Sequence, residues 1–276
     1  MTIAPYPASR VRCRLIAEND LEGIADLLSR GFPQTRRDHW TRGFARWRQL
    51  PVIAQMPRYG YLLDTGFGPV GVILMISSRR GDQVISNLCG WYVDPKWQSH
   101  SPLLISLATK LRQVTYLNAS PAPHTWRLLQ AHGFSPYNFG RTATFALPGR
   151  GLVSETIPDD LPEAQLLRDH HAMGWMSLTV EKDGQVSPFV LRPRRLEKPK
   201  LPVMEVMFCR GADDLGRCAP ALARYFLPRG RLGFLIDGDM DNLLSHYVEG
   251  REPRYFKGPY RPVLGDLAYT EKAIFG

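Results

Sequence analysis

The chain has 276 residues, 44% of them hydrophobic and 22% charged, and its 35 Lys and Arg against 26 Asp and Glu give a net charge of +9. That places it in the ordinary globular range, long enough for one large or two modest domains, with a surface that favours anionic partners. No apolar run approaches the roughly 20 residues a membrane helix needs, the opening stretch Met1–Pro7 lacks a charged-then-apolar leader, and Cys13, Cys89, Cys209 and Cys218 show no metal-site spacing; a reduced, cytoplasmic protein without a metal is expected.

Arg12 to Ala17 is predicted as the first strand. Asn19-Asp20 can cap a helix in which Leu21, Ile24, Leu27 and Leu28 recur at helical spacing. Asp38 to Trp47 follows as a second helix, with His39, Trp40, Phe44 and Trp47 available for one face. Gly60 to Thr65 and Pro69 to Ser78 are predicted to pair across Gly66-Phe67-Gly68, where glycine supplies the backbone freedom of a hairpin turn. Val84 to Val93 is the next strand, Pro102 to Arg112 a helix, and Val114 to Asn118 a strand. Thr125 to His132 is a helix closed by Gly133, and Thr142 to Leu147 a last strand. This alternation predicts a mixed α/β sheet with helices on its faces.

Residues 149–162, rich in Gly, Pro and acids, read as a linker. Beyond them Glu163 to Met173 is helical, and Met176 to Val180 pairs with Val186 to Arg192 through Asp183-Gly184. Met204 to Cys209 is a strand, and Asp213-Asp214 caps a helix through Leu227, in which Pro220 belongs near the start or at a kink. Gly230 closes that helix, Leu232 to Ile236 is a strand, and Tyr269 to Phe275 is a candidate closing strand. The partial return of the earlier order predicts two units, 10–148 and 163–276, the second a degenerate copy without a first strand or a phosphate turn.

The run from Cys89 to Leu104 is the most informative stretch. It reads as a buried strand ending at Asp94-Pro95, a tight polar turn, and a helix whose N-terminus faces back toward that turn. Such a junction gathers backbone N–H groups and a positive dipole end, which suits a phosphorylated ligand. With Leu128-Leu129-Gln130-Ala131-His132-Gly133-Phe134 downstream, the layout resembles the GNAT (acyl-CoA N-acyltransferase) superfamily. The family's turn, Gln/Arg-x-x-Gly-x-Gly/Ala, falls on Gln98-Ser99-His100-Ser101-Pro102-Leu103; Gln98 matches, and Ser101 and Leu103 stand at the small positions. The resemblance covers residues 10–148 well and the remainder weakly. It implies an acyl-CoA N-acyltransferase-like fold, arranged here as two halves in tandem. It also implies acetyl-CoA or another acyl-CoA as co-substrate, no metal, and a small-molecule or peptide amine as acceptor, with a hydroxyl as the variant.

By the same resemblance, the backbone of Trp91, Tyr92 and Val93 meets the pantetheine arm and polarises the thioester, and Gln98, Ser99, His100 and Ser101 hold the pyrophosphate. Asn118 reaches the pantetheine amides if the loop from Ala119 to Pro123 bulges, and is otherwise a turn residue. The family's asparagine and proton-donating tyrosine positions hold Ala122 and Leu129. Apart from the resemblance, Asp237 and Asp239 end an apolar strand, where sites of mixed sheets open, or they shape a turn. His170 and His171 diverge around a helix and cannot share a metal, which leaves one of them, with His171 as the candidate, to face a cleft between the halves. Cys89, with no adjacent base, reads as a buried structural thiol.

No Walker lysine, dinucleotide fingerprint, nucleophile elbow or zincin pair is present, which argues against nucleotide hydrolysis, dehydrogenase, esterase and metalloprotease chemistry. The basic groups, among them Arg36-Arg37 and Arg79-Arg80, come without a nucleic-acid-binding motif. The expected function is acyl transfer from an acyl-CoA by direct attack of the acceptor. The alternative is a binding or scaffold protein that kept the fold without the reaction, which Leu103 and Leu129 favour.

Overall fold

A computed structural model describes residues 11–196, 200–238 and 245–276. The first part of the chain runs β1 (Arg12–Leu15), α1 (Leu21–Gly31), α2 (Arg37–Trp47), β2 (Gly60–Asp64), β3 (Pro69–Arg80), β4 (Gln83–Val93), α3 (Ser101–Ala108), β5 (Val114–Asn118), α4 (Trp126–Ala131) and β6 (Ser135–Thr144). The second part runs β7 (Leu152–Ser154), α5 (Ala164–Ala172), β8 (Met176–Lys182), β9 (Gln185–Arg195), β10 (Pro202–Phe208), α6 (Ala212–Phe226), β11 (Phe234–Asp237), β12 (Ser245–Lys257) and α7 (Glu271–Ile274).

All the strands join one sheet in the order β1-β2-β3-β4-β5-β12-β6-β11-β10-β9-β8-β7. Two neighbouring pairs are parallel, β4 with β5 and β10 with β11, and the rest are antiparallel. The centre of the sheet is exchanged. β12, from the end of the chain, pairs with β5, while β6 pairs with β11, and β6 and β12 pair with each other. Each parallel pair is therefore continued by a strand from the other part of the chain.

The run from Val72 to Ile76 is apolar at every position because the sheet is covered on both faces. Leu62, Val72, Leu74, Ile76 and Cys89 meet α1 and α2, which bury Leu21, Ile24, Leu27, Leu28, Trp40, Phe44 and Trp47 at helical spacing. Leu63, Ile73, Met75, Leu88 and Val93 face the other way, onto Leu104, Ile105 and Ala108 of α3 and Leu129 of α4. The second part has its own core, in which α6 lies on Leu178, Phe189, Leu191, Met204, Val206 and Phe234.

Several local expectations change. Tyr269 to Phe275 is not a strand: Thr270 starts the short helix α7, and the ladder position goes to β12, whose polar run Glu249 to Arg254 hides the usual alternation. β6 begins at Ser135, not Thr142, since pairing on both sides lets polar Asn138 and Thr142 be buried. A strand, β7, forms inside the stretch expected to link, and pairs with β8. α3 stops at Ala108, four residues short of Arg112, with Thr109 as its C-cap. Asp20 does not cap α1 with its side chain. Its carboxylate accepts the Ala17 N–H at 2.7 Å and pairs with Arg14 at 2.7 Å. Pro220 lies inside α6, away from its start.

α7 is held against α2 by aromatic contacts of Phe275 with Trp40 (5.3 Å) and Phe44 (5.6 Å). Gly43 makes this approach possible: a Cβ there would lie 1.9 Å from Phe275 Cδ1. Gly43→Ala overpacks this contact and is expected to lower stability by about 1–3 kcal/mol, read as a fall in the urea midpoint at constant slope.

Candidate functional site between β4 and β5

The parallel ladder of β4 and β5 runs only from Val84 opposite Val114 to Asn87 opposite Leu117. β4 continues to Val93 along β3, so from Leu88 onward its other edge has no β5 partner and a wedge opens. A register shift in the β3–β4 ladder, between Val72 and Leu74, marks a bulge in β4 around Gly90. Gly90 has φ +52, and a Cβ there would stand 2.8 Å from Leu74 Cδ1, so the bulge requires glycine. A cavity of about 300 Å³ occupies the wedge. It is lined by Cys89, Gly90 and Trp91 of β4, by Asn118 and residues 120–122 at the end of β5, by His39 and Trp40 of α2, and by α7.

α7 closes one side of the wedge. The Glu271 carboxylate accepts a hydrogen bond from Asn87 Nδ2 at 2.6 Å and another from the Ser120 hydroxyl, bridging the two strands where their ladder ends. Burial pushes the Lys272 ammonium down to about 8, and Arg254 and Arg141 add to the effect. Burial also lowers His39, which stacks on Phe275 at 5.8 Å. Trp40 and Trp91 each hold a buried indole N–H with no acceptor among the described residues. The wedge therefore offers a strand edge, one carboxylate and an amine that burial holds at about 8.

Of the residues singled out in the sequence, Trp91 and Asn118 line this cavity, and Asn118 is buried. Tyr92 packs toward α1 and Phe32, and Val93 is buried on the opposite face with α3. Gln98, Ser99 and His100 belong to a 3₁₀ turn, Pro95–His100, that runs straight into α3 at Ser101. The local turns use some of the N–H groups at this junction: Trp97 N–H donates to Asp94 O at 2.8 Å, and Ser101 N–H donates to Gln98 O. Ser99 Oγ and His100 Nδ1 lie 3.3 Å apart, and His100 stands edge-on to Trp97. Leu103 is 43% exposed on α3.

The acids and histidines expected to carry chemistry fall elsewhere. Asp237 is buried among the exchanged strands, paired with Arg254 and accepting from Asn138 Nδ2 at 2.8 Å. Asp239 lies outside the described residues. His171 is exposed on α5, and its neighbour His170 is fully buried against Leu166 O at 2.8 Å, with burial holding its imidazole down to about 4. Cys89 lines the wedge, but burial raises its thiol well above the ordinary range, and among the described residues no base is hydrogen-bonded to it. Glu271 and Lys272 are not among the residues the sequence pattern singles out. Thr270-Glu271 nevertheless has the form of a helix start, a capping-type residue followed by an acid in the first turn. Among the described residues, no group of three or more His, Cys, Asp or Glu could hold a metal, and no helix is long and apolar enough to cross a membrane.

No protein-family model and no curated protein sequence matches the chain. Solved structures do match. A GCN5-related N-acetyltransferase from Anabaena variabilis aligns at 7% identity over 90% of this chain and 72% of its own, with a TM-score of 0.59. One from Kribbella flavida aligns at 11% identity over 90% and 70%, with a TM-score of 0.55. The N-myristoyltransferase of Saccharomyces cerevisiae with bound myristoyl-CoA aligns at 13% identity over 92% and 83%, with a TM-score of 0.50. At these identities the likeness concerns the fold: the chain has the mixed α/β fold of the GNAT acyl-CoA N-acyltransferases.

Proposed function

We propose that this protein transfers an acyl group from an acyl-CoA to an amine, with a small molecule or a peptide as acceptor. The unpaired edge of β4 beyond Asn87 carries the reading. A strand edge facing a cavity gives an extended, amide-bearing ligand such as the pantetheine arm a ladder to hydrogen-bond with, and no particular side chains are needed. When bound, the acyl-CoA supplies an activated carbonyl and a thiolate leaving group. The chain's part is to orient that carbonyl along Cys89–Trp91, with Asn118 in reach, and to exclude water with α7. Glu271 is the carboxylate placed to take a proton from an incoming amine. The two units, 10–148 and 163–276, are read as GNAT-like halves that exchange β6 and β12, the first binding the cofactor. All four cysteines are free, which fits a reducing cytoplasmic setting.

The second reading, a binding or scaffold protein on the same fold, is favoured by the 3₁₀ turn that uses the Ser101 N–H at the expected phosphate site. Calorimetric titration with acetyl-CoA and with a long-chain acyl-CoA at physiological salt separates the two. Micromolar binding of either is expected, and binding of neither leaves the scaffold. In the Gln98→Asp, Ser101→Asp double variant, repulsion against pyrophosphate is expected to weaken binding at least tenfold, about 1.4 kcal/mol. Unchanged binding would move the phosphate site away from this turn.

A further inference from the structure

Lys272 lines the same cavity as the open edge of β4 at Cys89, Gly90 and Trp91. Its backbone is fixed, because Arg192 Nη1 donates to its carbonyl at 2.8 Å, and α7 is tied to β4 and β5 through Glu271. Its ammonium has no hydrogen bond or ion pair among the described residues. Charged groups face it from every side. Arg254 on β12 and Arg141 on β6 repel its charge, while Asp237 on β11, Glu271 beside it and Glu205 on β10 attract it. These acids are already engaged, Asp237 by Arg254 and Asn138, Glu271 by Asn87 and Ser120, and Glu205 by Arg192. His39 on α2 lines the cavity as well and is itself held toward the neutral form. A half-buried lysine in these surroundings loses its proton easily and becomes a nucleophile.

We propose that Lys272 accepts an acyl group from the acyl-CoA received in the wedge, so that the chain modifies itself at this residue. The inference rests on the acyl-CoA reading above. The neutral Nζ attacks the thioester carbonyl carbon, the C–N bond forms as the C–S bond breaks, and the thiolate leaves with the electron pair. The proton lost from nitrogen ends on that thiolate, giving an amide and free coenzyme A. Acylation removes a positive charge from the cavity wall and adds apolar bulk there, which alters the space left for an acceptor.

The test is incubation of the full chain with acetyl-CoA, followed by mass spectrometry of the intact protein and of the peptide holding Lys272. Acetylation is expected at Lys272 well ahead of the exposed Lys96 and Lys110. It should rise about tenfold per pH unit up to about 8 and level off above, since only the neutral amine reacts. Excess free coenzyme A should slow it, and the K272R variant should lack it. Equal labelling of Lys96 and Lys272, or labelling indifferent to free coenzyme A, overturns the inference. Titration of the same preparation keeps the two proposals apart: acetyl-CoA binding without acetyl on Lys272 overturns the self-acylation alone, and absence of binding overturns both.

Discussion

Replacing Arg254 by Met is expected to cost about 3–5 kcal/mol of stability, the largest loss foreseen for any single side chain here. Arg254 lies on β12 where its ladder with β6 is irregular, and its guanidinium donates to the Ala119 carbonyl at the end of β5 and to the Asp237 carboxylate on β11. Both charged side chains are almost closed to solvent, 6% and 5% exposed, so water cannot replace the lost partner. The variant leaves a buried carboxylate with Asn138 as its close donor and with Arg141 Nε at 3.9 Å, too far for a hydrogen bond. Urea unfolding should show a lower midpoint with an unchanged slope. Removing both charges, Arg254→Met with Asp237→Leu, is expected to recover much of the loss, because the desolvation cost of the orphaned carboxylate goes with it. A single-variant loss below about 1 kcal/mol would mean that the pair does not hold the exchanged strands together.

Ala122→Trp is expected to weaken acyl-CoA binding at least a hundredfold, about 2.7 kcal/mol, while leaving the fold intact. Ala122 is half-buried at the end of the β5 loop and lines the wedge across from β4. Its extended backbone, φ -66 and ψ 141, accepts any side chain, so an indole there fills the cavity without backbone strain. Titration with acetyl-CoA measures the loss, and a urea melt confirms that stability has not followed it. Wild-type affinity in a folded variant would place the ligand outside the wedge. That outcome would leave the fold assignment untouched, because the fold rests on the sheet order and the structural likeness.

Most of the first part of the chain was readable from local pattern. Leu21, Ile24, Leu27 and Leu28 mark a helix by spacing, and Val72 to Ile76 marks a strand buried on both faces. The strand-turn-helix around Gln98 was readable as well, and with it the resemblance to acyl-CoA N-acyltransferases. What the pattern concealed lies late in the chain. β12 carries Glu249, Arg251, Glu252 and Arg254 in one short run, a polarity that single-strand propensity scores as loop; the strand is paired at either end of that run, with β6 over Ser245–Glu249 and again from Arg254, and with β5 from Tyr255.

The candidate site divides in the same way. Trp91 and Asn118 were named through the family resemblance, and both line the wedge. Glu271 and its neighbour Lys272 could not be, because Glu271 lies more than 150 residues from the two residues it joins, Asn87 on β4 and Ser120 just past β5. Asp237 illustrates the converse: its place at a strand end suggested chemistry, and the guanidinium brought in by β12 made it part of an ion pair. The sequence by itself determined the periodic elements of the first part and the class of fold, since these depend on residues a few positions apart. Only the tertiary structure decided which strands exchange, which helix closes the wedge and which charges are matched inside it, because pairing and desolvation are set by residues that the chain brings together from its two ends.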